Sequence, residues 1–337
     1  MRAMVLHGPG PIEGGPLRVE DVDPPVPGVG EIRVRVSACG ICRTDLHVVE
    51  GELPARRAPL IPGHQVVGRV DALGSGASRF ALGERVGIAW VRWTCGACGF
   101  CRTGRENLCE RAEFTGWTAD GGYAEQAVVP EAFAYAIPAA FGDAGAAPLL
   151  CAGIIGYRAL RLAAVPSGGG LALYGFGSSA HITLQVARAR GVEVYVCTRE
   201  PRHRALARAL GATWVGAAAE PLPVAVEGAI IFAPAGELVP AALRSLAPGG
   251  TLALAGIHMS DVPSLAYADL YRERVIRSVA NNTRDDGEGL LREAARIPLT
   301  PEVTTFPLAD ANRALGELKR GGFAGAGVLL TDAARGV

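Results

Sequence analysis

Cys95, Cys98, Cys101 and Cys109 fall in the pattern C-x2-C-x2-C-x7-C. Four thiolates at such spacing can close a tetrahedron about one zinc ion with no position left for a reactant, which makes a structural site rather than a reactive one. Gly96, Gly99 and Gly104 lie among them and permit the tight turns that aim several thiols at one point. An iron–sulfur cluster also takes four cysteines, and clustered redox thiols are the blandest alternative. A second set of ligand types is scattered: Cys39, Cys42, His47, His64 and, much later, Cys151. A catalytic zinc takes three protein ligands of Cys or His type and keeps a fourth position for water or substrate. Spacing alone chooses neither between Cys39 and Cys42 nor between His47 and His64.

A glycine-rich loop offers a different chemistry. Gly175, Gly177, Ser178, Ser179 and Ala180 fit G-x-G-x-x-G/A, in which small residues let backbone approach a pyrophosphate at a helix N-terminus. The loop lies between an apolar run at 170–174, read as a buried strand, and a helix over 179–190. A second strand over 192–197 is followed by Thr198 and Arg199. An acidic residue there would bind the ribose 2′-hydroxyl of NAD; a hydroxyl and a guanidinium suit a 2′-phosphate, so NADP(H) is favoured over NAD(H). Glu200 is the one group able to restore the NAD reading. Arg202 and Arg204 either assist the phosphate or are solvated helix charges.

Taken together, Cys42, Thr44, Asp45, Gly63, His64 and Cys151, with the four-cysteine lobe, carry a resemblance. The chain resembles a zinc-dependent alcohol dehydrogenase of the medium-chain dehydrogenase/reductase superfamily, from its first strand to its last. The resemblance implies two zinc ions per chain, one structural in the lobe and one catalytic on Cys42, His64 and Cys151. It implies that Asp45 holds the His64 ring, that Thr44 bonds the substrate oxygen and that His47 delivers a proton to solvent. Arg43 would contact the pyrophosphate; Ala233, Ala255 and Ile257 would lie near the nicotinamide. Leu53, Trp90, Val91, Trp117 and Ile257 fall at pocket positions, although each serves equally well as core. Two departures stand out: Gln65 where the family has Glu, which removes a negative charge behind the metal, and Ala326 where a second phosphate-binding Arg is common. The implied reaction is reversible hydride transfer between an alcohol or aldehyde and the nicotinamide. The alternatives are an NAD-dependent polyol dehydrogenase, a catalytically silent zinc and nucleotide-binding relative, and a zinc ribbon that reads nucleic acid.

These groups need elements to position them. A chain of 337 residues is long enough for two domains, each with its own core. Short alternating Val and Ile runs at 31–36 and 66–70 predict a β-rich first part. Beyond Cys151 strands and helices alternate: helices over 154–164, 201–210 and 238–246, strands over 228–232 and 251–255, then one more helix over 309–319 and a strand over 327–331. That alternation predicts a parallel sheet wrapped by helices. The expected class is therefore α/β: a GroES-like catalytic domain over 1–152 and 281–337, with its zinc lobe at about 93–112, and a doubly wound Rossmann domain over 153–280.

The 33 basic residues balance 33 acidic ones, which removes the electrostatic footprint of a nucleic-acid binder. No apolar stretch reaches the ~18 residues of a membrane span. The N-terminal residues carry neither a long apolar segment nor a small-residue cleavage site. The chain is therefore expected in the cytoplasm, where eight cysteines serve better as ligands or buried thiols than as disulfides. The expected partners are a small alcohol or aldehyde and further copies of the chain, as a dimer or tetramer.

Overall fold

Ile32, Val34 and Val36 alternate with polar neighbours and are wholly buried, so Glu31–Ile41 forms the long strand about which the first part of the chain is built. The computed structural model describes residues 1–335. Among them, the strands of this part run in the order Val303–Pro307, Ala326–Leu330, Glu31–Ile41, Gln65–Leu73, Arg85–Ile88 and Ala134–Ala136, and Gln126–Pro130 also pairs with Glu31–Ile41. Glu31–Ile41 and Gln65–Leu73 are antiparallel, with Cys39 opposite Val66 and Gly40 opposite Gln65. This register decides the chemistry: residues just past one strand and just before the other emerge at the same end of the sheet. Cys42 and His64 are those residues. Bulges between Arg33 and Val34 and between Val36 and Ala38 twist the pair locally.

The chain divides into two compact units. One comprises Met1–Cys151, Asn282–Ala295 and Pro301–Val337, the other Ala152–Asn281 and Arg296–Thr300. Residues 296–300 thus group with the second unit, not with the first as the sequence reading had them. The reason is local: the Gln185 side chain bonds both the N–H and the C=O of Thr300.

The second unit is built on a parallel sheet in the order Trp214–Gly216, Glu193–Cys197, Gly170–Tyr174, Val226–Ile231, Leu246–Leu254 and Val275–Ser278. Numbered within the unit this is 3-2-1-4-5-6, the doubly wound dinucleotide-binding order, with its switch point beside Gly170–Tyr174. Leu171, Leu173, Val194, Val196 and Ile230 have no exposed surface, as strands covered on both faces require. Each such side chain contributes about 1.5–3 kcal/mol by its burial.

The structure adds elements that the sequence reading left out: the strands Trp214–Gly216 and Val275–Ser278 and the helix Arg284–Ala294. Gly287 and Gly289 mask that helix in the sequence by lowering its propensity. Its start carries a capping box, Thr283 with Asp286. Among the described residues no single helix is long and apolar enough to cross a membrane.

Candidate functional site

In the first unit, Cys42 ends the turn after Glu31–Ile41 and serves as N-cap of the helix Arg43–Glu50. Asp45 closes that cap by accepting the Cys42 N–H on Oδ2 at 2.9 Å. Its other oxygen, Oδ1, lies 2.7 Å from His64 Nδ1. The His64 ring is therefore oriented by a buried carboxylate, and its remaining nitrogen Nε2 is buried with no hydrogen-bond partner. Cys151 completes the group, its Sγ 3.9 Å from that of Cys42. Two thiolates on a tetrahedral zinc, each about 2.3 Å from the ion, stand about 3.8 Å apart. The ligand atoms of Cys42, His64 and Cys151 all lie within 4.8 Å of one another.

The electrostatics point the same way. The Cys151 thiol, with His64 behind it, holds Cys42 well below the ordinary thiol range despite burial. Cys151 is in turn pushed well above that range by Cys42 and by burial. Burial works against charge on His64, yet Asp45 and Cys42 push it up to about 10. A pocket that stabilises one thiolate, resists the second and gathers positive charge onto its imidazole is short of a cation. An unpartnered imidazole nitrogen beside paired thiols is a donor set fit for zinc, with three ligands and one position open.

Cys39 lies outside this group: its thiol is buried and faces the Gly40 carbonyl at 3.7 Å. His47 lies outside it too; its Nδ1 contacts the Glu52 carboxylate. The Thr44 hydroxyl is buried and stands 3.6 Å from Cys42 Sγ. Gln65 is buried against Gly40, its Oε1 without a partner.

Trp90 meets the His64 ring edge-on at 4.9 Å and stacks on Trp117 at 5.8 Å, within 12° of parallel. Leu53 and Trp117 pack as half-buried members of the first unit's core, and Val91 is buried in it. Trp90 and Trp117, expected at pocket positions, thus pack in the core of this unit.

The four-cysteine lobe also converges. Cys101 Sγ lies 3.9 Å from that of Cys95 and 3.5 Å from that of Cys98, and Cys109 joins them within 4.8 Å. Backbone N–H groups, first that of Ala97, lower Cys95 to about 6, while burial raises Cys101 to about 11. Between two of these cysteines sits a residue the motif reading passed over: Glu106, buried and clasped by Arg284 through three contacts of 2.7 to 3.2 Å.

In the second unit, Gly175 follows Gly170–Tyr174 with φ +86°, and a Cβ there would stand 3.0 Å from the Ala233 nitrogen. Only glycine suits that turn. Gly177 precedes the helix Ser178–Ala189, and a Cβ on it would meet nothing within 4 Å. No side chain caps that helix, and the space beside Gly177 at its start is open. This is a cradle fit for a pyrophosphate. His181, also unremarked in the sequence, is buried under the loop; burial lowers it to about 4, so it stays neutral.

Ala233 and Ala255 close the carboxyl ends of neighbouring strands, donating to the carbonyls of Tyr174 and Ile231. Ile257 stands 48% exposed just beyond. Thr198 is buried at the end of Glu193–Cys197, whereas Arg199 and Glu200 are exposed. Arg204 is no free surface charge: its Nε donates to the Thr198 carbonyl at 2.8 Å. In the first unit, Arg43 directs its guanidinium to the Lys319 carbonyl at 3.4 Å, and Ala326 is buried at the start of a strand.

Comparison with known proteins places these features. Residues 28–139 match the family model of the alcohol dehydrogenase GroES-like domain, and residues 180–296 match that of the zinc-binding dehydrogenases. The chain is 52% identical over 336 residues to "Probable alcohol dehydrogenase AdhA" of Mycobacterium tuberculosis, across 98% of this chain and 97% of that one. Its fold is similar to a thermostable alcohol dehydrogenase of Pyrobaculum aerophilum solved with cobalt and zinc bound (TM-score 0.88, 28% identity, 98% and 99% of the two chains covered). It is equally similar to a cinnamyl alcohol dehydrogenase of Sorghum bicolor (TM-score 0.88, 27% identity, 97% and 96% covered).

Proposed function

Because the chain belongs to the zinc-binding alcohol dehydrogenases of the medium-chain dehydrogenase/reductase superfamily, we propose that it interconverts a small alcohol and its aldehyde with NADP(H) as the favoured hydride carrier. The observation that carries this reading is the unpartnered, buried His64 Nε2 beside the Cys42 and Cys151 thiols. When bound there, zinc supplies Lewis acidity and nicotinamide supplies or takes up hydride.

The chain's own residues do the rest. Cys42, His64 and Cys151 hold the catalytic ion; Cys95, Cys98, Cys101 and Cys109 hold a second, structural one. Asp45 keeps His64 in the tautomer that leaves Nε2 free. Thr44 Oγ1, buried beside Cys42, would hydrogen-bond the substrate oxygen and relay its proton, handing on its own hydroxyl proton as it accepts the substrate's. His47 lies three residues on along the same helix, hence on the same face, and would receive that proton through the cofactor ribose and deliver it to solvent beside Glu52. Trp90 and Trp117 exclude water. Gln65 adds no charge, so the two thiolates alone offset a divalent ion and leave it more electrophilic than a third anion would.

Gly175, Gly177, Ser178, Ser179 and Ala180 cradle the pyrophosphate, with Arg43 as its expected cation and no second arginine at Ala326. Thr198 and Arg199 suit a 2′-phosphate; Ala233, Ala255 and Ile257 border the nicotinamide. The cysteines are all free, which fits a reducing compartment such as the cytoplasm. Val275–Ser278 is an edge strand with Val275 45% exposed, and it supports a homo-oligomer.

Steady-state assays over primary, secondary, benzylic and polyol alcohols with both cofactors test the reading. Turnover of simple alcohols with loss of activity on zinc removal is the expected result; turnover of polyols alone with NAD would overturn it. Arg199→Ala removes a charge-assisted bond worth about 1.5–3 kcal/mol, so it raises the KM for NADPH at least about tenfold. The KM for NADH changes less than about twofold, because that cofactor has no phosphate for Arg199 to answer. Equal shifts for the two cofactors would remove the 2′-phosphate assignment.

A further inference from the structure

A carboxylate buried as deeply as Asp45 calls for a count of its donors. The Cys42 N–H answers Oδ2 and His64 Nδ1 answers Oδ1, which leaves a lone pair on each oxygen. The charge of that carboxylate reaches Tyr123. This tyrosine has no exposed surface, and its hydroxyl is buried without a hydrogen-bond partner. After burial itself, the Asp45 charge does most to hold the phenol proton in place.

The ring has a separate purchase on the same site. Residues 121–123 brace residues 61–63 through backbone bonds from Gly121 to Ile61 (2.7 Å), Gly122 to Gly63 (2.9 Å) and Tyr123 to Pro62 (2.9 Å). The Tyr123 ring lies directly on Gly63, whose φ is +94° and where a Cβ would come within 2.3 Å of the ring's Cδ1. Gly63 is the residue before His64. One side chain therefore packs on the turn that delivers His64 and carries a buried, unpartnered hydroxyl that feels the charge of the carboxylate orienting that ring.

Resting on the zinc reading above, we propose that Tyr123 is a positioning residue for the catalytic metal. Its ring fixes the turn at Gly63, and its hydroxyl is the donor available to Asp45. A phenol proton on Asp45 draws off part of the carboxylate's basicity, so His64 is pulled less strongly through Nδ1 and gives less electron density to the ion. Without that proton the ion becomes a weaker Lewis acid.

Tyr123→Phe keeps the ring and removes the oxygen; Tyr123→Ala removes both. Exchange of zinc for cobalt(II) gives a readout apart from turnover. The four-cysteine lobe contributes the same band to parent and variant, so their difference spectrum reports the Cys42, His64 and Cys151 site. The Phe variant is expected to fold and bind its full metal complement, to shift that difference spectrum, and to lose about three- to tenfold in kcat with KM unchanged, at or below the usual range for groups behind metal ligands. The Ala variant should release its catalytic metal to a chelator at least about tenfold faster than the Phe variant. A Phe variant with the parent's spectrum and kcat overturns the hydroxyl's role, and an Ala variant that holds metal as the parent does overturns the ring's. Lack of any catalytic-site cobalt band in the parent overturns the zinc reading and this inference together.

Discussion

Cys42→Ser will carry one zinc ion per chain in place of two and will retain less than about a thousandth of kcat/KM, whereas Cys39→Ser will keep both ions and turn over within about threefold of the parent. The magnitude follows from what the ion supplies. Lewis-acid stabilisation of an alkoxide-like oxygen is worth several kcal/mol, and about 4 kcal/mol corresponds to a thousandfold in rate. Serine does not replace the lost ligand, because its hydroxyl stays protonated where the Cys42 thiol is held well below its ordinary range. Cys151 cannot compensate; its thiol is already the one that burial and its neighbour push upward.

Cys39 differs in kind. Burial keeps its proton on, and its thiol donates to the Gly40 carbonyl at 3.7 Å. A hydroxyl in its place costs about 1–3 kcal/mol of stability for an imperfectly answered polar group and touches no ligand. Metal analysis and kinetics on the two variants check this directly. Two ions in Cys42→Ser, or one in Cys39→Ser, would mean that the ligand set is misassigned.

The reason these two cysteines could not be told apart by spacing is also the reason the site exists. Cys42 and His64 meet because Gly40 lies opposite Gln65 in an antiparallel ladder, and Cys151 arrives from 109 positions away. Such proximity is a property of register, and no local pattern records it. The four-cysteine lobe is the opposite case: all its ligands lie within one short loop, so their spacing already holds the geometry. The same contrast runs through the fold. Gly170–Tyr174 is legible to the residue because a strand buried on both faces is an unbroken apolar run. Val275–Ser278 lies at the sheet edge, half its residues polar, and leaves no such trace. Arg284–Ala294 hides behind Gly287 and Gly289; Gly287 is there because a Cβ would come within 2.4 Å of the Tyr135 ring. Resemblance supplied the ligand assignment that pattern alone could not, and neither pointed to Tyr123 or Glu106, whose partners lie far off in the chain.

Glu106 leads to the second large effect. Cys101→Ser, which breaks the proposed structural zinc site, will lower the melting temperature by at least about 10 °C, while each molecule that remains folded binds zinc at the Cys42, His64 and Cys151 group. A closed four-thiolate site contributes folding energy outright, and a loss of several kcal/mol in a chain of this size is worth roughly 2–4 °C per kcal/mol. The effect reaches beyond the loop because the lobe holds a helix. Glu106 accepts from the Arg284 backbone N–H at 2.8 Å and from its guanidinium at 2.7 Å, while that guanidinium lies over the Phe133 ring at 4.6 Å. Loosening the loop therefore strips the first residue of Arg284–Ala294 of its acceptor, leaving that helix start to the Thr283–Asp286 cap alone.

Acid should act on the same joint. Burial opposes charge on Glu106, but Arg284 prevails and holds its carboxyl below the ordinary range. A carboxyl depressed in the folded state contributes fully above its unfolded pKa, about 4.3, and loses that contribution as pH falls through the lower folded value. Glu106→Gln should accordingly cost stability at pH 7, with both ions retained there, and that cost should shrink as pH falls below the ordinary carboxylate range and through the lower folded value. Thermal melts of the two variants across pH, read beside their zinc content, separate the thiolate cage from the ion pair it positions. A Cys101→Ser chain that keeps two ions and the parent's melting temperature would show that the lobe is not a metal site at all.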